Sequence, residues 1–144
     1  MTRINVVAVA ALTDNFIMAE YFELPRMWPL IYRAIQKNDR DIPESYRLGT
    51  GHLRFFYDKI RYLDRRHSDL WHEGKRRGLD LRKDPAIQIW YDDVIDMLGT
   101  SAMIDQDPDF WLKNYTPTPE AIQLNLDRLQ IRRRYDGGSY QGSR

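Results

Sequence analysis

At 144 residues, with 42% hydrophobic and 30% charged side chains, the chain suits one globular domain, residues 1–144, around one core. No run of about 18 apolar residues predicts a membrane span, the apolar stretch over residues 6–12 is too short for a signal peptide, and the lack of cysteine excludes disulfides, so we expect a cytoplasmic protein. The net charge of +1 conceals a basic segment over residues 54–83 and an acidic one over 84–120, which suits either a basic face for a polyanion or two solvated helix faces.

An N-terminal arm, residues 2–13, leads into a predicted helix over about residues 15–37. Thr13 or Asp14 is expected to cap this helix. Pro29, like the proline four residues before it, falls inside the helix and removes a backbone donor. The pattern therefore predicts either a kinked helix or two abutting helices.

The second helix has the clearest signals. Apolar residues recur at helical spacing from Leu53 to about Arg77, after the breaker segment at residues 49–51, and Gly78 ends the pattern. Residues 87–98 favour a short helix, and Trp111 is expected to pack inward from a loop.

A third main helix is predicted from Thr118 to about Arg134, with Pro119 in its first turn and Glu120 near its positive end. The glycine-rich tail, residues 136–144, is expected to be mobile. No alternating strand pattern occurs. We predict an all-α fold, a single compact domain of three main helices with the N-terminal arm packed between them.

Metal and cofactor chemistry is not favoured. His67 and His72 are five residues apart, which does not stack them on a helix as a spacing of four would, and no cysteine assists them or His52. We interpret the histidines as packing or surface residues and expect no cofactor.

The N-terminus offers an amine. Met1 precedes Thr2, a small residue that permits removal of the initiator methionine. The α-amine so exposed has an ordinary pKa of about 7.7–8.0. A nearby cation such as Arg3 lowers that pKa towards the neutral form, which attacks carbon and forms a Schiff base.

Glu23 is the candidate carboxylate for such chemistry. It shares one helix face with Phe16 and Glu20, at i, i+4 and i+7. Arg26 lies one turn further on, where it orients the carboxylate, holds a phosphate, or forms an ordinary surface ion pair. On the predicted third helix, Arg128 and the arginine four residues later suit either a phosphate clamp or a basic helix end.

Several segments together resemble one family. They are Met1-Thr-Arg-Ile-Asn5, Leu12-x-Asp14, Met18-Ala-Glu-Tyr21, Glu23-Leu-Pro-Arg26, Leu48-Gly-x-Gly-His52 and Phe55-Phe-Tyr-Asp-Lys59, with a weaker match from Tyr115 to Arg132. These segments resemble the phage-type pyrimidine-dimer DNA glycosylase/AP lyase family, also called the T-even phage endonuclease V family, over roughly two thirds of the chain.

The resemblance implies a mechanism and a partner. The Thr2 amine would attack C1′ of a damaged nucleotide, expel the base through a Schiff base and nick the strand by β-elimination, with Glu23 as the essential carboxylate. A base opposite the lesion would be flipped out. The partner would be duplex DNA with a UV lesion or abasic site, bound by a monomer without cofactor. The implied DNA-binding residues are Arg3, Asn15, Arg26, Arg128 and Arg132.

Two positions depart from the family pattern. Asn15-Phe16 stands where the family usually has Gln-His, and Phe22 replaces an arginine before the carboxylate. The two rings either stack on a displaced base or add to the core. Two alternatives therefore stay open: the same chemistry on another damaged base, and a DNA-binding protein without catalysis. The retained Thr2 and Glu23 argue against the second.

Overall fold

The computed structural model describes residues 3–100, 107–130, 132–133 and 140–141, the last two pairs by their backbone alone. The described residues form five α-helices: α1 (Asp14–Glu23), α2 (Met27–Gln36), α3 (Ile60–Arg76), α4 (Pro85–Leu98) and α5 (Pro119–Leu129). Short 3-10 helices span Val9–Ala11, Leu24–Arg26, Arg54–Phe56 and Pro108–Phe110. The prediction of a compact all-α fold is confirmed.

The first predicted helix is two abutting helices. Thr13 caps α1, because its Oγ1 accepts a hydrogen bond from the Phe16 N–H. At Pro25 the chain makes a 3-10 turn, Leu24–Arg26, and α2 then begins at Met27. The proline interrupts the helix as its missing N–H predicts. Glu23 is thereby placed at the end of α1, beside this turn.

The second helix begins later than predicted, at Ile60 rather than near Leu53. The intervening residues form a 3-10 turn, and the Ile60 N–H donates to the carbonyl of Trp111 at 3.1 Å. Helix α3 therefore begins at the residue whose N–H is bonded to the 108–112 segment. Trp111 is fully buried there, as predicted.

The third main helix ends earlier than predicted, and the extension to Arg134 is wrong. Helix α5 stops at Leu129, because Gln130 adopts a left-handed conformation with φ of 56° that breaks the helical hydrogen-bond ladder. Beyond it, Arg132–Arg133 pairs antiparallel with Tyr140–Gln141 in a two-residue ladder. Arg132 therefore does not stack on Arg128 along a helix. The prediction that these two arginines form a phosphate clamp on one helix is wrong. The predicted mobility of the tail concerns mostly residues outside the described ones.

Candidate active site

The N-terminal arm packs between the helices, and side chains from other elements satisfy its backbone. The Ile4 N–H donates to Nε2 of His52 at 2.9 Å, and the Ile4 carbonyl accepts from the hydroxyl of Tyr46 at 3.4 Å. Thr2 lies outside the described residues, but only one residue separates it from Ile4.

A buried polar network fixes the next residue of the arm. Arg66 on α3 forms a two-bond ion pair with Glu20 on α1, at 2.7 and 2.9 Å, and both side chains are almost fully buried. Glu20 Oε1 accepts from Nδ2 of Asn5 at 2.7 Å, and Asn5 Oδ1 accepts from Nδ2 of Asn125 on α5 at 2.9 Å. One connected network thus joins the arm to three helices.

Arg128, one turn after Asn125 on α5, connects the network to the charged residues near the chain start. Its Nη2 donates to Oδ1 of Asn5 at 2.8 Å. Burial lowers the pKa of the Arg128 guanidinium below its ordinary value, and the charge of Arg3 acts in the same direction. The charge of Glu23 opposes this change in pKa. Arg3 and Glu23 therefore both lie within electrostatic reach of one guanidinium.

Glu23 has an unengaged carboxylate. It is half-buried, and among the described residues its carboxylate accepts no hydrogen bond and forms no ion pair. Arg26 is exposed one turn on, and the expected Glu23–Arg26 pair is not formed. Asn15 is exposed near the opposite end of α1, about 12 Å along the helix axis. Glu23 and Arg3 thus both lie within electrostatic reach of Arg128, whereas Asn15 lies at the other end of α1.

A pocket of about 640 Å³ lies on the other flank of α1, between α1, α3 and α4. Its aromatic lining consists of Tyr21, Trp28, His67, Trp71, His72 and Tyr91. Tyr21 stacks on His67 with ring centroids 4.6 Å apart, and Nζ of Lys83 lies 4.6 Å from the centroid of Trp71. We call this feature the aromatic pocket. Flat rings and a cation are what a planar polar aromatic ligand needs.

The two phenylalanines that depart from the family pattern have different surroundings. Phe16 is half-buried and packs against the core. Phe22 is 45% exposed and meets the edge of Tyr21 at 5.2 Å between centroids. Because successive helical residues are about 100° apart, Phe22 lies between Glu23 and the aromatic pocket on the surface of α1.

Most cations of the basic segment stabilise the fold. Of its ten basic residues, those in ion pairs are Arg54, Lys59, Arg66, Arg76, Arg77 and Arg82. Arg77, for example, bonds Glu73 and Asp14 and also donates to the carbonyl of Leu12 at 2.7 Å. The charge pattern therefore reflects internal pairing to a large extent. It does not by itself define a DNA-binding face.

His52 has a role that sequence reasoning missed. Its Nδ1–H donates to the Arg47 carbonyl at 2.7 Å, which leaves Nε2 as the acceptor for the Ile4 N–H. Burial lowers the pKa of the imidazole, and the nearby Arg128 and Arg3 act in the same direction, against the bond to Arg47. The ring is held neutral as an anchor for the arm. Only its place in the Leu48-Gly-x-Gly-His52 segment pointed to it.

Comparison with known families identifies the chain. The family model described as pyrimidine dimer DNA glycosylase matches residues 1–88, more than half of the sequence. The chain belongs to this family. The matched region contains the arm, α1 with Glu20 and Glu23, α2, the segment with His52, and α3. Helix α5, with Asn125 and Arg128, lies beyond it.

The family establishes a DNA glycosylase that acts on DNA in repair. No cluster of three or more histidine or acidic side chains suited to a metal ion occurs in the described part of the chain. Among the same residues, no helix is long and apolar enough to cross a membrane.

Proposed function

We propose that this glycosylase is bifunctional: it excises a base of a cyclobutane pyrimidine dimer and nicks the strand as an AP lyase, with the α-amine of Thr2 as nucleophile. The amine, freed by removal of Met1, attacks C1′ and displaces the base. The sugar ring then opens as the C1′–O4′ bond breaks and O4′ takes up a proton, and the amine nitrogen forms an iminium, a Schiff base, with C1′. Loss of a C2′ proton then expels the 3′ phosphate by β-elimination, which breaks the C3′–O bond.

The observation that carries this proposal is that Arg128, which bonds Asn5 of the anchored arm, lies within electrostatic reach of both Arg3 and Glu23. Two guanidiniums lower the pKa of a nearby amine and favour its neutral, nucleophilic form. The unengaged carboxylate of Glu23 is available to stabilise the positive sugar and to move protons.

The aromatic pocket supplies the second part of the proposal. Chemistry at C1′ in a duplex requires a nucleotide to leave the base stack, at a cost of a few kcal/mol. A pocket lined by stacked rings, one helix flank away from Glu23, is suited to hold an extrahelical base. Phe22, exposed between the two, is placed to enter the stack where the base was.

Borohydride trapping tests the chemistry. Protein lacking Met1, confirmed by intact mass, should become covalently linked to abasic duplex and to UV-irradiated duplex when the imine is reduced. Acetylation of the Thr2 amine should stop trapping on both substrates. Uniform retention of Met1 in fully active protein would remove Thr2 from the mechanism.

Glu23→Gln separates base removal from lyase chemistry. The variant keeps shape but loses charge, so base excision from dimers should fall at least about a hundredfold, as general acid–base groups contribute about 10²–10⁴. Some trapping on abasic DNA should persist, because imine formation needs only the aldehyde and the amine. Trapping of abasic DNA without any activity on dimers would favour another lesion. Failure to trap either substrate would favour a DNA-binding protein without catalysis.

A further inference from the structure

Asn125 on α5 lies in the interior and holds the arm by its backbone. Its side chain is fully buried, and its Oδ1 accepts from the N–H groups of both Val6 and Val7, at 2.7 and 3.0 Å. Its Nδ2 donates to Asn5. One amide therefore bonds three consecutive arm residues that lie about 120 positions away in sequence.

The network fixes the orientation of both amides. Glu20, paired with Arg66, can only accept, so Asn5 must direct its Nδ2 towards Glu20 and its Oδ1 away. The N–H groups of Val6 and Val7 need an acceptor, which directs the Asn125 oxygen towards the arm and its Nδ2 towards the Asn5 oxygen, where Arg128 also donates. A flip of either amide would set acceptor against acceptor in the interior.

This arrangement links the arm to the element that carries Glu23. Glu20 lies one turn before Glu23 on α1, and Asn5 lies three residues after Thr2. The position of the chain start relative to the Glu23 carboxylate therefore depends on the bonds at Asn5, and Asn125 holds those bonds from the opposite side.

We propose that Asn125 is a positioning residue, which sets the register of the arm so that the N-terminal amine meets the Glu23 carboxylate. This inference rests on the proposed function of the amine. Asn125 touches neither the substrate nor the reacting atoms. It acts through Asn5 and the backbone of Val6 and Val7.

The test compares Asn125→Ala with Leu129→Ala, a control that truncates a buried apolar side chain one turn along the same helix. Single-turnover trapping on abasic duplex is measured at saturating protein, well below both melting temperatures. A misplacement of about 1 Å can cost about a hundredfold in rate, so we expect Asn125→Ala to be slowed at least about tenfold and Leu129→Ala less than about threefold. Affinity for duplex with a non-cleavable tetrahydrofuran abasic analogue should be unchanged in both.

Amide hydrogen exchange supplies a readout of the arm itself. Exchange at Val6 and Val7 should accelerate in Asn125→Ala and stay near the wild-type rate in Leu129→Ala. If Asn125→Ala does not fold, Asn125→Ser, too short to bond both N–H groups, takes its place.

Equal rates in the Asn125→Ala and Leu129→Ala variants would overturn the positioning role and leave the proposed function intact. A wild-type protein that traps no abasic DNA would instead overturn the proposed function, and the catalytic consequence of Asn125 with it.

Discussion

Individual side chains, more than secondary structure, hold the N-terminal arm. His52 receives the Ile4 N–H, Asn125 receives two further N–H groups, and Arg66 donates to the Val7 carbonyl at 2.5 Å. Buried backbone groups need such partners, since each unpaired one costs about 1–3 kcal/mol. An irregular segment can therefore be rigid enough to carry a nucleophile.

The neutral state of His52 predicts a pH dependence of stability. Its pKa in the folded protein is depressed, so the folded state binds fewer protons than the unfolded state, whose histidine titrates near about 6.5. The stabilisation is complete above that value and is lost as pH falls through the folded pKa, by about 1.4 kcal/mol per unit of depression. Urea unfolding from pH 8 to pH 5 measures it.

His52→Gln keeps a neutral acceptor and should flatten the acid limb of this profile. His67, whose pKa burial also lowers, accounts for a separate share of the limb and provides the matched control. His67→Gln should leave the protection of the Ile4 amide unchanged. An acid limb of undiminished size in His52→Gln would show that the imidazole is not the titrating group.

At the level of secondary structure, the features that depend on neighbouring residues are predicted correctly, and those that depend on long-range contacts are not. The cap at Thr13, the start of α5 near Thr118 and the break at Pro25 depend on neighbouring residues alone, and all three are found. The start of α3 depends on a bond to Trp111, fifty-one residues away. No pattern in a single sequence announces such a bond.

The candidate site shows the same division. The residue types at Glu23 and Arg3 suggested chemistry, and family resemblance related them to each other. The burial of Glu20 against Arg66, and the bond from Asn5 to a residue 120 positions away, required the folded chain. The residues of this network lie on three separate helices. Helical periodicity predicts which face of each helix is buried, but it does not predict which residues of other helices that face contacts.

The end of α5 supplies a prediction of its own. Gln130 has φ of 56°, a conformation that costs an L-residue about 1 kcal/mol and glycine almost nothing. Gln130→Gly should therefore raise the free energy of unfolding by up to about 1 kcal/mol, as measured in urea. Gln130→Ala should give no increase. A destabilised glycine variant would mean that the Gln130 side chain makes a stabilising contact.

At the scale of the whole molecule, some basic side chains are ion-paired within the described fold, and others are exposed and able to contact phosphates. Six of the ten basic residues in the 54–83 segment are ion-paired, whereas Arg26 is exposed one turn from Glu23. We therefore expect phosphate contacts around the end of α1. Arg26→Gln should reduce the log–log salt slope of duplex binding by about 1. The control is Arg65→Gln, a change at an exposed residue of α3, which should leave the slope unchanged. If Arg65→Gln reduces the slope and Arg26→Gln does not, the DNA binds along α3 rather than at the end of α1.

The two phenylalanines that depart from the family pattern both lie on α1, so we expect lesion preference to depend on this helix. Phe22 stands between Glu23 and the aromatic pocket, where an inserted ring would occupy the space of a displaced base. Stacking of a base on an aromatic ring is worth about 1–3 kcal/mol. Phe22→Ala should therefore slow excision from UV-irradiated duplex about tenfold, with a smaller effect on abasic duplex, where no base needs displacing.

Ile89→Ala, which truncates an exposed apolar residue on α4, serves as the control and should change neither rate. If the native protein traps abasic DNA yet ignores UV-irradiated DNA, the two phenyl rings become the cause to test. Phe22→Arg together with Phe16→His should then restore dimer cleavage, because it returns to α1 the two polar residues of the family pattern. Phe16 is half-buried against the core, so the melting temperature of the double variant must be measured alongside. A stable double variant that still does not cleave dimers would show that other residues determine specificity. Trp71 in the aromatic pocket would then be the next residue to substitute.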